Sequence, residues 1–345
     1  MTENIEKLDD KVKKLNIESR KQLMNLPNLL HESVPIGTSD KFNEVVKTTG
    51  KLEFDFKPTN HVDIANDLGL IDEERAVKVS GAGFLYLKKE LAILDYALQK
   101  YALDFLIKKR FTVVQPPFML TRKAYEGVVS MEDFENVMYK IDNEDLYLIA
   151  TSEHPIGSMF NNETLLEEEL PLKLVGISPC FRREIGSHGK YTKGLFRTHQ
   201  FNKVEQFIFS LPEDSWKIHE EIQKNSEELL KQLGIAFRVV NVCTGDIGNI
   251  ASKKYDIEFL MADKEYREIG SNSNCTDYQS RRLNIKYKEK EGMPGKGFVH
   301  TLNNTAIATS RVMIAILEQF QQEDGSVKIP KALHNYCNFK EISKK

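Results

Sequence analysis

Residues 179–205, PCFRREIGSHGKYTKGLFRTHQFNKVE, read as two strand-like arms around a loop of about a dozen residues carrying Gly186, Gly189 and Gly194. A tight hairpin needs far less chain, and loops of this length usually carry function. Alternation along a strand puts Arg182 and Glu184 on one face of the first arm, and Arg197, Phe201 and Glu205 on one face of the second. For any single Arg or Glu here, a solvated surface pair is the plainer explanation. The combination is more specific. Guanidiniums grip phosphate or carboxylate, an aromatic face takes a purine, and carboxylates take an amine, a hydroxyl or an adenine amino group. Together they describe a site for a nucleotide and a zwitterion. His188 and His199 lack metal-ligand spacing to any cysteine and are read as loop or packing residues.

Working outward, residues 88–109 and 215–233 have the apolar spacing of amphipathic helices. Short β-type stretches lie at 146–149, 172–177, 204–209, 237–242 and 282–287, with FTVVQPP after the first helix. Helices and strands mix without a regular βαβ alternation, which predicts an antiparallel sheet flanked by helices, in the α+β class. Neither GxxxxGK[ST] nor GxGxxG is present, so the usual nucleotide cradles are absent. Residues 3–26 form a short N-terminal helix with Ile5, Leu8, Val12, Leu15, Leu23 and Leu26 at three- and four-residue steps, either lying on the main domain or half of a helical hairpin. LPNLLHESVPIG, residues 26–37, is an extended connector punctuated by two prolines.

Composition sets the outer bounds. Forty-eight basic and 51 acidic residues leave a net charge of −3, which disfavours a general nucleic-acid coat but permits a local basic site. No apolar run is long enough to span a bilayer, and the opening MTENIEKLDDKVKKLN has no apolar signal core, so no membrane partner is expected. Cys180, Cys243, Cys275 and Cys337 are scattered without a CxxC pair, fitting a reducing, cytoplasmic location.

Two further clusters carry chemistry. In NNTAIATSRVMIAILE, residues 303–318, Asn303 and Thr305 share a strand face ahead of a very apolar helix that Thr309 or Ser310 is expected to cap. Arg311 falls in that helix's first turn, where the macrodipole disfavours a cation unless an anion is near, and a phosphate would resolve the conflict. In EYREIGSNSNCTDYQSRR, residues 265–282, Glu268 and Ser271 offer hard oxygens of the kind Mg²⁺ accepts beside phosphates.

Together, these clusters resemble the signature stretches of class II aminoacyl-tRNA synthetases, and specifically the seryl-tRNA synthetase family. Pro116 and Pro117 after a long helix are similar to the first motif, which in the family builds a homodimer interface. CFRREIGSHGKYTKGLFRTHQFNKVEQ resembles the second and NNTAIATSRVMIAILE the third, while TSE at 151–153 and SNSNCTDYQSRR at 271–282 match stretches typical of the serine enzymes. The LLHESVPIG and GSHGK wording is closest to the archaeal and eukaryotic cytosolic branch.

The resemblance implies that L-serine attacks ATP to give seryl-adenylate, and that tRNA(Ser) then takes the seryl group. It gives Arg182 the α-phosphate and the serine carboxylate, and Arg311 the γ-phosphate. Phe201 would stack on adenine, Glu184 read its amino group, and Arg197 hold the phosphate tail. Glu268 and Ser271 would hold Mg²⁺. Thr151 and Glu153 would line the amino-acid pocket, and Glu205, Asn303 and Thr305 would bind the serine hydroxyl and amine.

The chain departs from the family pattern at its N-terminus. The family's basic helical arm is represented only by residues 1–30, read as the end of its returning helix, ahead of a catalytic domain at 31–345. Transfer to tRNA(Ser) is therefore expected to be weakened while serine activation is not. Two alternatives follow from that departure: an amino acid ligase that charges a carrier protein, whose zinc pocket raises the question of a metal at Cys180, and a regulatory paralogue without chemistry.

Overall fold

The computed structural model describes residues 2–130, 137–184 and 194–344. An eight-stranded sheet organises them, built from β1 (Glu44–Thr49), β2 (Thr112–Val114), β3 (Leu172–Phe181), β4 (Gln200–Ser210), β5 (Phe237–Asn241), β6 (Lys253–Leu260), β7 (Tyr266–Asn274) and β8 (His300–Ala308). In space the order is β1-β5-β6-β7-β8-β4-β3-β2, and every neighbouring pair is antiparallel except β2 with β3. The expected α+β class is the one observed. The helices used below are α1 (Thr2–Met24), α2 (Lys89–Lys108), α3 (Glu153–Gly157), α4 (Ser215–Leu233), α5 (Tyr278–Leu283) and α6 (Thr309–Gln319).

The central strand β4 shows why the two faces differ. It is buried from Lys203 to Ser210, and its side chains alternate between two cores. Val204 and Ile208 join the larger core under α2, α4 and α6. Phe207 and Phe209 join a second core with Tyr125, Val128 and Ile156 on the opposite face. Cover on both sides explains the apolar run VEQFIFS. On the helix face, α4 is stitched to the sheet through buried amides: Gln206 Nε2 donates to Ile222 O at 3.2 Å and Asn304 Nδ2 to the same carbonyl at 2.7 Å. The other face is covered over Phe207 and Phe209 but open along the first half of β4, where Phe201, Lys203 and Glu205 face the site.

Three local expectations need correcting. Residues 282–287 are not one strand: α5 ends at Leu283, Asn284 turns with φ +54°, and only Lys286–Lys288 is extended. The helix is held by pairs one turn apart, Arg281 on Asp277 and Arg282 stacked on Tyr278, which outweigh the alternation of NIKYK. In FTVVQPP only Thr112–Val114 pairs, because Pro116 and Pro117 have no N–H to offer a ladder. The N-terminal helix is present, but its stripe does not lie on the rest of the protein: Ile5, Leu8, Val12 and Leu15 are each more than half exposed.

Candidate active site

A cleft of about 290 Å³ opens on that sheet face, floored by β4, β7 and β8 and walled by residues 247–251. At one end, strand geometry builds a polar nest. Glu205 is fully buried, with its Oε2 2.7 Å from Lys203 Nζ and accepting from Thr305 Oγ1 at 3.1 Å. Asn303 Nδ2 donates to Glu205 Oε1 at 3.2 Å and to Glu153 Oε2 at 3.1 Å, so one amide bridges two carboxylates. Gln279 Nε2 reaches Glu153 Oε1 at 3.4 Å. Withdrawal from solvent and the neighbouring Glu205 charge push the Glu153 carboxyl up to about 7, against the opposing pull of Lys203. A nest with two carboxylates and a single resident ammonium has room for another cation and for a hydroxyl.

Thr151 is buried behind this nest and is not among the residues that line the cleft. Its Oγ1 accepts the Glu153 N–H at 3.2 Å and so fixes the first residue of α3. Lys203 was not singled out in the sequence. The signal was available, since Phe201, Lys203 and Glu205 alternate onto one face of β4 and all three line the cleft.

At the other end, Arg182, Glu184 and Arg197 lie beyond the strands, while Glu268 and Ser271 come from within β7. β3 stops at Phe181, so strand alternation does not relate Arg182 to Glu184, and Glu184 sits at φ +46°. Arg197 likewise precedes β4, just after a turn of 3₁₀ helix at Gly194–Phe196. These two form a rim ion pair at 3.5 Å, outside the cleft lining. Arg182 is placed through its backbone: its N–H donates to His199 O at 2.9 Å, and the His199 N–H donates to Gly83 O at 2.9 Å. His199 thus has the expected packing role, its ring against Phe84 and its Nδ1 bonded to the Tyr139 hydroxyl. The Arg182 side chain lies 5.4 Å from the Phe201 ring and donates to Ala150 O at 3.3 Å. His188, Gly186, Gly189 and the rest of 185–193 lie outside the described residues.

Glu268 and Ser271 are three apart, and simple alternation would put them on opposite faces. A bulge at Ile269, between the Gly270↔Ile257 and Glu268↔Glu258 pairs, turns both into the cleft, with Ser271 Oγ 3.4 Å from Glu268 Oε1. Burial would raise the Glu268 carboxyl, but Arg311, Lys254 and Arg182 together hold it below its usual value. Behind them, buried Asp256 is pushed up to about 7 by burial and by the Glu268 charge.

Arg311 is neither exposed nor unpaired. Its Nη1 donates to Glu268 O and Oε1, both at 3.0 Å, and its guanidinium lies 5.4 Å from the Phe196 ring. The expected cap on α6 is not formed: Ala308 occupies the N-cap position, and the Thr309 hydroxyl donates instead to Asn202 O at 3.0 Å. Cys180 is buried, its thiol raised by burial, and among the described residues no three His, Cys, Asp or Glu side chains converge as metal ligands.

Residues 135–320 match the family model described as the tRNA synthetase class II core domain (G, H, P, S and T). The antiparallel sheet flanked by helices is therefore that of a class II synthetase core. The serine–tRNA ligase of Methanospirillum hungatei is 56% identical over 340 residues, covering 98% of this chain and 80% of that protein. Seryl-tRNA synthetase from Pyrococcus horikoshii, solved in complex with ATP, superposes with a TM-score of 0.95 at 49% identity, covering 98% of this chain and 80% of that one. The cytoplasmic enzyme from Naegleria fowleri, in complex with AMP, gives 0.91 at 38% identity, with coverage of 98% and 81%. The chain belongs to the serine–tRNA ligase family.

Proposed function

We propose that the cleft activates L-serine with ATP and delivers the seryl group to tRNA(Ser), a reading carried by the bridged nest of Glu153, Asn303, Glu205 and Thr305 opening directly onto Arg182. In this reading the serine ammonium sits against Glu153 and Asn303, and the hydroxyl lies between Glu205 and Thr305, with Thr151 supporting Glu153 from behind. Arg182 draws the serine carboxylate and the α-phosphate together. The carboxylate oxygen bonds to the α-phosphorus as the bond to pyrophosphate breaks. The nucleophile is already ionised, so positioning and charge stabilisation supply the acceleration without a general base.

Adenine stacks on Phe201, with Glu184 at its amino group and Arg197 near the phosphate tail. Arg311 exchanges Glu268 for the γ-phosphate, which gives its first-turn position an anion. Glu268 and Ser271 suit Mg²⁺, as hard oxygens turned to one face by the bulge. When bound, Mg²⁺ neutralises charge on the phosphates.

Specificity follows from the nest. Alanine would offer no hydroxyl to buried Glu205 and half-buried Thr305, and threonine would be excluded by volume. The same reading places the chain in the cytoplasm as a homodimer joined through α2 and the Pro116–Pro117 segment, and takes residues 1–30 as part of a tRNA-binding arm. Among the described residues no helix is long and apolar enough to cross a membrane. Serine-dependent pyrophosphate exchange tests the proposal: exchange with serine and little with glycine or alanine is expected, and equal exchange with all three would refute it.

A further inference from the structure

The connector after α1 is tied to the wall of the cleft at one residue. Asn28 is half-buried, and its backbone N–H donates to Asn249 O at 2.8 Å. Its side-chain amide faces three acceptors: Ile250 O at 2.9 Å, Cys275 O at 2.8 Å and Thr276 Oγ1 at 3.1 Å. Its Oδ1 accepts the Leu29 N–H at 2.8 Å, which orients the amide. Asn249, Ile250 and Cys275 all line the cleft. They lie at the end of the nest, because Ser273 pairs with Asn303 across β7 and β8, and Ser252 N–H donates to Asn274 O at 2.8 Å next door.

Thr276, beside this contact, has φ +47°, a conformation that a β-branched residue adopts only under constraint. The constraint is visible: Thr276 N–H donates to Asn274 Oδ1 at 2.9 Å, and Thr276 O accepts from Thr301 N–H at 2.9 Å. Four residues before Asn28 the chain is pinned a second time, where Arg282 Nη2 donates to Met24 O at 3.1 Å at the end of α1.

We propose that Asn28 is a positioning residue for the amino-acid pocket: it clamps the 249–250 wall to the Cys275–Thr276 turn, so that the N-terminal segment sets how tightly serine is held. Asn28 touches neither reacting atoms nor the phosphate end. This inference rests on the serine-activation reading and adds to it a link between α1 and the pocket.

The test is steady-state pyrophosphate exchange by the full chain, wild type beside Asn28→Ala and Asn28→Asp. The aspartate keeps the shape and the acceptor for Leu29 while removing both donors. With the clamp gone, KM for serine is expected to rise about tenfold, with kcat and KM for ATP within about twofold of wild type. Unchanged serine KM in both variants overturns the inference, as does an equal rise in both KM values or a loss confined to kcat. If Asn28→Ala does not fold, Asn28→Asp is read by the same criteria. Wild type without serine-dependent exchange sinks the activation reading and this inference with it, whereas active wild type with unaltered variants sinks this inference alone.

Discussion

Glu205 and Asn303 sit on adjacent central strands whose neighbours are all paired, whereas Arg182, Glu184 and Arg197 sit where the backbone has left the sheet. At the end proposed for serine, Glu205 and Asn303 are buried, Glu153 and Thr305 half-buried, and Asn303 bonds both carboxylates. At the end proposed for the phosphates, Arg311 and Glu268 are partly exposed and paired with each other, a contact that opens in the proposed reading when a phosphate enters. Discrimination between small amino acids needs a pocket whose unpaired groups are costly, and rigid strands supply it. On the proposed reading, a large, highly charged nucleotide is met by cations beyond the strand ends that can change partner.

The largest predicted effect breaks the phosphate end. Arg311→Ala should lower the exchange rate at least about a hundredfold, the scale of losing a preorganised charge contact, with thermal stability little changed. A near-normal rate would make Arg311 a partner of Glu268 and nothing more. At the serine end, Thr305→Val keeps the shape but removes a hydroxyl from the nest. The ratio of kcat/KM for serine over alanine should fall by roughly tenfold to a hundredfold, with ATP parameters unaffected.

A smaller effect separates the two ends by pH. Glu153 is raised to about 7, so below that pH it is protonated and the nest offers the serine ammonium one negative charge fewer. KM for serine should therefore fall as pH rises from about 6 to about 8, with a slope of up to roughly tenfold per unit below 7, and Glu153→Gln should flatten it. KM for ATP should not follow the same curve. The sign for stability is the reverse: the raised pKa makes the protonated carboxyl favour the folded chain at acid pH, a contribution lost as pH rises through about 7. Smallest of all is Glu184→Gln at the rim pair with Arg197, which should change urea-unfolding stability by less than about 1 kcal/mol because both groups are partly solvated.

The two ends were also unequally legible in the sequence. Helix 215–233 has the predicted bounds, and Asn303 and Thr305 share a face as strand alternation requires, because both features repeat locally. Alternation puts Lys203 on the face of Phe201 and Glu205, but its burial is fixed only once both neighbouring strands are in place. The pairing of Glu268 with Ser271 was named on chemistry alone; the bulge that makes it possible is set by register with β6. Asn28 and Arg282 were invisible as linkers, since their partners lie more than 200 residues away in the chain.

A crystal structure with a non-hydrolysable seryl-adenylate analogue, 5′-O-[N-(L-seryl)sulfamoyl]adenosine, tests the division of the cleft most directly. The seryl hydroxyl should lie within hydrogen-bond distance of both Glu205 and Thr305, the ammonium against Glu153, the sulfamoyl group at Arg182 and adenine on Phe201. A seryl group bound outside the Glu153–Asn303–Glu205 nest, or adenine occupying it, would contradict the account.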